Sequence, residues 1–206
     1  GDVLGGFLFV LGLFAGVFAV ASCWLARKQL RQAVDGQAEA LAPDSLAGAL
    51  PIISGALPFL LLIMVTLRLP VTNPTSVYGL AVLLVLLLLG LAKIARLPVL
   101  SIASLGCVLA LEAVWHLHHF NPESPWTPLL WNLGFYALFA VYPFLFRDTF
   151  REYVLPWTAA ALSSVGHGVL VFFVVKSGFP SMADKMGLLP AVFTVPSLIS
   201  LVAAIK

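Results

Sequence analysis

The sequence predicts an all-α, polytopic transmembrane helix bundle with about seven spans. Hydrophobic residues make up 61% of the 206 residues and charged residues only 10%, against roughly 45–50% apolar residues in ordinary soluble domains. The mean hydropathy is +1.06, and the apolar residues form uninterrupted runs instead of the stripes of amphipathic soluble helices. A polypeptide of this composition needs lipid as its solvent.

Seven apolar runs are long enough to cross a membrane. They lie at residues 3–25, 46–67, 77–94, 97–117, 126–146, 155–175 and 188–205. Each run has about 18–23 residues, which at 1.5 Å per helical residue covers the ~30 Å hydrocarbon core. Because unpaired backbone groups are costly in lipid and the alternating pattern of barrel strands is missing, each run should be a helix.

The connections between the runs are mostly short and contain turn residues. Asn73-Pro74 separates the second run from the third, Asn121-Pro122 separates the fourth from the fifth, and Gly178 with Pro180 follows the sixth. The longest connection, residues 26–45, extends the first helix before the second begins. Short connections predict that consecutive helices are antiparallel neighbours.

The basic residues predict the orientation, since Lys and Arg near helix ends are retained on the cytoplasmic side. Three basic residues fall on the predicted outer side, namely Arg68, Lys176 and Lys185. The other eight fall on the opposite side, namely Arg27, Lys28, Arg31, Lys93, Arg96, Arg147, Arg151 and Lys206. We therefore expect a multipass protein of the bacterial inner (plasma) membrane with a periplasmic N-terminus for this segment.

Small residues predict where helices pack closely, because apolar side chains gain little by leaving lipid for protein. Gly12 and Gly16 form such a face on the first predicted span, and Ser164 and Gly168 form one on the sixth. We expect these faces to pack within the chain, and a homodimer through Gly12 and Gly16 is the alternative.

The candidate functional residues lie at the outer end of the fourth span. Glu112 is the one carboxylate well inside an apolar run, and Glu112, His116 and His119 fall at i, i+4 and i+7 on one helical stripe. An ionisable group costs roughly 2.5–3.5 kcal/mol at the centre of a membrane, so such a residue is a functional candidate by default. Three interpretations remain open: a structural hydrogen-bonded group, a proton relay or polar-substrate pocket, and a metal site formed by the three residues. No cofactor is predicted beyond that metal alternative.

Two further residues complete the predicted polar pocket. His167 lies between Gly166 and Gly168 on the sixth span, and we hypothesise that it shares an internal cavity with Glu112. Ser163 precedes it by one turn, but no GxSxG motif supports a serine nucleophile. Arg68 is the basic residue of the second outer loop and could bind a phosphate or carboxylate.

In composition and in the order of its apolar segments, the whole chain resembles the bacterial multipass proteins grouped as domain of unknown function 2339. The resemblance lies in the series of Leu/Ala/Gly-rich spans with short loops and in the proline-containing apolar helix Leu188-Leu-Pro190-Ala-Val-Phe-Thr-Val-Pro196. It implies no activity and no site residues. Because the chain starts at Gly1 without methionine and stops at Lys206 within an apolar run, we expect an internal fragment of a longer protein.

The function predicted from these observations is a transport-related or scaffolding component of the bacterial envelope, with a polar pocket facing the periplasm. The alternative is a membrane-embedded enzyme acting on polyprenyl-linked glycan or lipid substrates, whose large outer domain and acidic first outer loop are not visible here. The expected partners are membrane lipid and further transmembrane segments of the same polypeptide. Nucleic acid is not expected, since the net charge of +2 comes from single, scattered basic residues.

Overall fold

A computed structural model describes residues 46–205, and this part of the chain is helical with no strand. The helices are α1 (Leu46–Arg68), α2 (Thr75–Ile94), α3 (Val99–His119), α4 (Trp126–Leu145), the single turn α5 (Arg147–Phe150), α6 (Val154–Gly178) and α7 (Leu188–Ile205), with a 3₁₀ segment at Pro180–Lys185. The predicted span at residues 3–25, with Gly12 and Gly16, lies outside the described residues.

Four of these helices are long and apolar enough to cross a membrane, namely α2, α3, α4 and α6. Within the described part, shorter apolar stretches occupy Ile52–Arg68 and Leu188–Ala203. The all-α class is therefore confirmed, whereas the count of seven spans stays a prediction. Large apolar side chains also cover the outside of the bundle; for example, Leu83 is 57% exposed and Leu130 63% exposed. Such a surface is unsuited to water and is expected of a helix bundle in lipid.

Helix α3 is the central helix of the described bundle. It packs against α1 and α2 on one side and against α6 on the other, while α6 also packs against α4 and α7. The short loops make neighbours antiparallel, so residues 69–74, 120–125 and 179–187 share one end of the bundle. We call this end the α6 C-terminal end.

An aromatic cluster holds α2, α3 and α4 together near that end. The ring of Tyr78, which is 1% exposed, lies 5.9 Å from the ring of Trp115, 6.0 Å from Trp131 and 5.9 Å from Phe135, all in edge-to-face contact. Edge-to-face pairs place the positive edge of one ring against the negative face of the other and contribute about 0.5–1.5 kcal/mol each. The cluster therefore fixes how these three helices are rotated against each other.

Polar tips of aromatic residues bind backbone carbonyls across the bundle. Trp115 Nε1 donates to the carbonyl of Val71 at 3.0 Å, and Tyr142 Oη donates to the carbonyl of Leu89 at 2.7 Å. The first bond ties α3 to the loop between α1 and α2, and the second ties α4 to α2; such bonds hold together helices that apolar contacts alone would leave weakly associated.

Candidate functional site

The structure brings Glu112 and His167 together in the interior of the bundle. Oε2 of Glu112 on α3 lies 3.1 Å from Nε2 of His167 on α6, and the side chains are 1% and 0% exposed. Glu112 stands about two helical turns before the end of α3, and His167 lies near the middle of α6. The hypothesis that the two residues face the same interior region is therefore consistent with the structure, although the pair is enclosed and does not open to an outer surface.

Asn132 on α4 is a third polar side chain in contact with this pair, through Glu112. With its amide nitrogen turned towards Glu112, it donates to Oε1 at 2.9 Å and to the carbonyl of Pro128 at 3.2 Å. The opposite amide orientation would place oxygen against these acceptors, so the hydrogen-bond partners determine the orientation. Sequence reasoning missed Asn132; the available signal was an amide side chain inside an otherwise apolar run.

Ser163 supplies the remaining contacts of the imidazole. Nδ1 of His167 lies 2.9 Å from Ser163 Oγ and 3.0 Å from the Ser163 carbonyl oxygen, one helical turn earlier on α6. The rings of Tyr136 and Phe139 flank the imidazole with centroids 6.4 Å away. We refer to Glu112, Asn132, Ser163 and His167 as the polar core.

The partners of His167 restrict where its hydrogens are. The Ser163 hydroxyl, 2.9 Å from Nδ1, can donate to an unprotonated Nδ1, whereas the Ser163 carbonyl only accepts, so a hydrogen bond to that carbonyl at 3.0 Å places a hydrogen on Nδ1. Nε2 then faces Oε2 of Glu112 either as a neutral acceptor of the proton of a carboxylic acid or as the donor of an imidazolium to a carboxylate. In both of these arrangements, in which Nδ1 carries a hydrogen, the pair shares one proton between Nε2 and Oε2 and has no net charge.

The contact between Nε2 and Oε2 is close, but it is not a well-aligned hydrogen bond. Neither atom has another hydrogen-bond partner among the described residues, and both are fully buried. Buried polar atoms normally have a well-aligned partner, because leaving one unsatisfied costs about 1–3 kcal/mol. The short separation and the lack of any other described partner lead us to treat the two groups as a pair.

Gly166 and Gly168 allow helices to approach on both sides of His167. A β-carbon at Gly166 would lie 2.5 Å from Cδ1 of Leu109 on α3, and one at Gly168 would lie 3.2 Å from Cγ of Phe193 on α7. The first distance is shorter than real side-chain contacts, so a larger residue at 166 would force the Leu109 side chain or the two helices to move. Ser164 and Gly168, predicted to form a packing face, both lie on the side of α6 that meets α7.

Substitution of Gly166 by valine should therefore weaken the packing of α3 against α6. We expect the free energy of unfolding to fall by about 1–3 kcal/mol, the usual cost of overpacking. Gly106→Val on α3 is the matched control, because a β-carbon there meets nothing within 4 Å. Unfolding in detergent by increasing denaturing surfactant, followed by circular dichroism, measures both variants; equal stability of the two would contradict the proposed close approach.

The other predicted pocket residues have separate surroundings. His116 stacks on Phe120 with ring centroids 4.5 Å apart, and His119 Nε2 lies 2.6 Å from the carbonyl oxygen of Thr66 on α1. Arg68 is exposed at the end of α1. Among residues 46–205, no group of three or more His, Cys, Asp or Glu side chains is arranged to share a metal ion. The metal alternative for Glu112, His116 and His119 stays a prediction without a described geometry to support it.

Comparison of the chain with protein-family models, with curated proteins and with solved structures gives no significant match. The resemblance to domain of unknown function 2339 therefore stays a prediction, and the function has to be inferred from the residues themselves.

Proposed function

We propose that the chain is the membrane domain of a transport-related component of the bacterial envelope, in which Glu112 and His167 carry protons. The observation that supports this proposal is the burial of a carboxyl group and an imidazole 3.1 Å apart within spanning helices. Ionisable groups at such positions are expensive and are commonly found in proton relays, facing a partner of this kind.

The contacts of the polar core suit proton exchange. Asn132 forms a hydrogen bond with Oε1 of Glu112, and the Ser163 carbonyl forms one with Nδ1 of His167. Oε2 of Glu112 and Nε2 of His167 remain as the two positions between which a proton can move. Because the pair joins α3 to α6, a shift of α6 against α3 would separate the two atoms and change which group keeps the proton. A change of proton affinity with helix position is the coupling that a proton-driven transport step needs.

The proposal includes the setting predicted from the sequence. The bundle would lie in the bacterial inner membrane with the α6 C-terminal end towards the periplasm, surrounded by lipid and by further spans of the same polypeptide. A purely scaffolding role, in which the polar core only fixes helix positions, is the competing possibility. The enzymatic alternative, a membrane-embedded enzyme acting on polyprenyl-linked glycan or lipid substrates, stays a prediction.

A measurement of proton flux across a membrane distinguishes the proposed transport role from a purely scaffolding role. The full chain is reconstituted into liposomes containing a pH-sensitive dye, and a potassium diffusion potential drives protons inward. We expect Glu112→Gln to reduce the protein-dependent flux by about a hundredfold, the low end of what a positioned proton-transfer group contributes. Glu123→Gln, which removes the exposed carboxylate of the loop after α3, should leave the flux unchanged.

Two results would contradict the proposal. One is a wild-type flux equal to that of protein-free vesicles, and the other is a Glu112→Gln flux equal to wild type. In either case the scaffold interpretation takes its place, and infrared difference spectra on pH change should then show no carboxyl signal that is lost in Glu112→Gln.

A further inference from the structure

A groove lies between α6 and α7, on the side of α6 turned away from the polar core. Its volume is about 450 Å³, within the range of roughly 300–1,000 Å³ typical of small-molecule sites. On α6 the groove extends from Ser164 to Phe173, and on α7 it extends from Leu189 to Leu198. Its wall includes exposed apolar side chains, among them Val165 at 61% and Val169 at 51% exposure.

The groove offers no free hydroxyl to a ligand. Thr194 Oγ1 donates to the carbonyl of Pro190 at 2.6 Å, Ser197 Oγ to that of Ala161 at 3.3 Å, and Ser164 Oγ to that of Ala160 at 3.4 Å. All three hydroxyl hydrogens are therefore used within the protein. The surface that remains is chemically suited to hydrocarbon.

The length and position of the groove match one leaflet of a bilayer. Ser164 lies near the middle of α6, and the rise from Ser164 to Phe173 is about 14 Å at 1.5 Å per residue. This is roughly half of the ~30 Å hydrocarbon core. The groove thus covers the depth of the leaflet that contains the α6 C-terminal end, and it stops near the bilayer midplane.

A basic side chain stands at the headgroup end of the groove. Lys176 follows Val169 and Phe173 on the same face of α6 and is exposed in the last turn of the helix. No ion pair of Lys176 occurs among residues 46–205, so its ammonium group has no described acidic partner. A long lysine side chain at a helix end reaches the headgroup region, where it can meet a phosphate.

We propose that this groove is a binding site for one anionic phospholipid of that leaflet, with an acyl chain between α6 and α7 and the headgroup phosphate at Lys176. The apolar lining, the leaflet-matched length and the basic group at the open end together specify this occupant. The site is independent of proton carriage by the polar core.

Native mass spectrometry tests the site on the full chain. The protein is released from nanodiscs that contain equal amounts of phosphatidylglycerol and phosphatidylcholine, and the lipids that remain bound are counted. We expect about fivefold preferential retention of one phosphatidylglycerol, which corresponds to the ~1 kcal/mol contributed by one basic side chain near an anionic headgroup.

Two variants test the two halves of the site. Lys176→Gln should abolish the preference for phosphatidylglycerol, whereas Arg151→Gln, which removes one positive charge from an exposed side chain at the opposite end of the bundle, should keep it. Val169→Trp should fill the groove and reduce retention of either lipid, whereas Leu83→Trp on the outer face of α2 should not. Circular dichroism in detergent checks that each variant is folded.

Three outcomes would overturn the proposal. The first is unchanged lipid preference in Lys176→Gln or unchanged retention in Val169→Trp. The second is a dimer mass that only Val169→Trp abolishes, which would make a second copy the occupant. The third is efficient disulfide formation between Gly12→Cys and Val169→Cys in one chain, which would make residues 3–25 the occupant.

Discussion

Replacement of His167 by leucine should lower the free energy of unfolding by about 3–5 kcal/mol near neutral pH, the usual cost of removing one partner from a buried ionic pair. The reason is that Oε2 of Glu112 loses the imidazole 3.1 Å away and has no other described partner. The isolated carboxyl group must then stay charged in an apolar interior or take up a proton. Stepwise unfolding by denaturing surfactant, followed by circular dichroism, measures the loss.

The stability of His167→Leu should also depend on pH, in a direction that follows from the protonation of Glu112. If the folded variant keeps Glu112 protonated while the unfolded chain releases that proton to water, the folded state binds more protons, so stability falls as pH rises. The destabilisation by His167→Leu should therefore be smaller in mildly acidic solution than at neutral pH. In the wild type the pair holds its proton internally, and we expect a weaker dependence over the same range.

The double variant Glu112→Leu/His167→Leu is the control for this prediction. Removal of both partners leaves no unpaired charge, and the amide of Asn132 keeps the carbonyl of Pro128 as its acceptor. Its stability should return to within about 1 kcal/mol of wild type, because buried ion pairs replaced by apolar groups are often neutral. A double variant as unstable as His167→Leu would show that the loss came from packing instead of pairing.

Tyr78→Ala should give the second large loss, about 3 kcal/mol. This value is at the lower end of the range for aromatic-to-alanine changes, because in lipid the variant loses packing contacts but little transfer free energy. Three edge-to-face contacts to Trp115, Trp131 and Phe135 disappear together, and with them the junction of α2, α3 and α4.

Two further variants of α2 test whether the stability lost in Tyr78→Ala comes from the packing of the aromatic ring. Tyr78→Phe keeps all three ring contacts and should stay within about 1 kcal/mol of wild type. Leu83→Ala truncates a side chain that is 57% exposed on the outside of α2 and should change stability by less than about 0.5 kcal/mol. A Tyr78→Ala variant no less stable than Leu83→Ala would contradict the role of the aromatic cluster. The surfactant titration used for His167→Leu measures all three.

The helices themselves could largely be predicted from the sequence. The run at 188–205 coincides with α7, and the run at 77–94 differs from α2 only at its start. The run at 97–117 corresponds to α3 at Val99–His119: Pro98 precedes the first helical residue, and the helix continues through the polar residues His118 and His119. Hydropathy detects where side chains enter lipid, whereas backbone hydrogen bonds continue beyond that point.

The pairing within the site was harder to predict. Periodicity puts Glu112, His116 and His119 on one stripe. Along the helix axis, however, His116 lies roughly 6 Å and His119 roughly 10 Å from Glu112. At these separations each side chain meets a different part of the bundle: Glu112 meets His167 on α6, and His119 meets α1. Which residues of different helices meet depends on how far each helix is rotated. That rotation is fixed by contacts such as the aromatic cluster, which no single run of sequence reveals.

If Glu112 and His167 share a proton as proposed, the pair is also an electrical dipole inside the membrane. When the proton moves from Glu112 to His167, the pair changes from neutral to charge-separated over 3.1 Å, although its net charge stays zero. That distance is about a tenth of the ~30 Å hydrocarbon core. A membrane potential of 100 mV would therefore bias the two proton positions by at most about 0.2 kcal/mol, a tenth of the energy for a full crossing. The enclosed pair would thus respond only slightly to the membrane potential, and a change of voltage alone would not drive the proton from one group to the other.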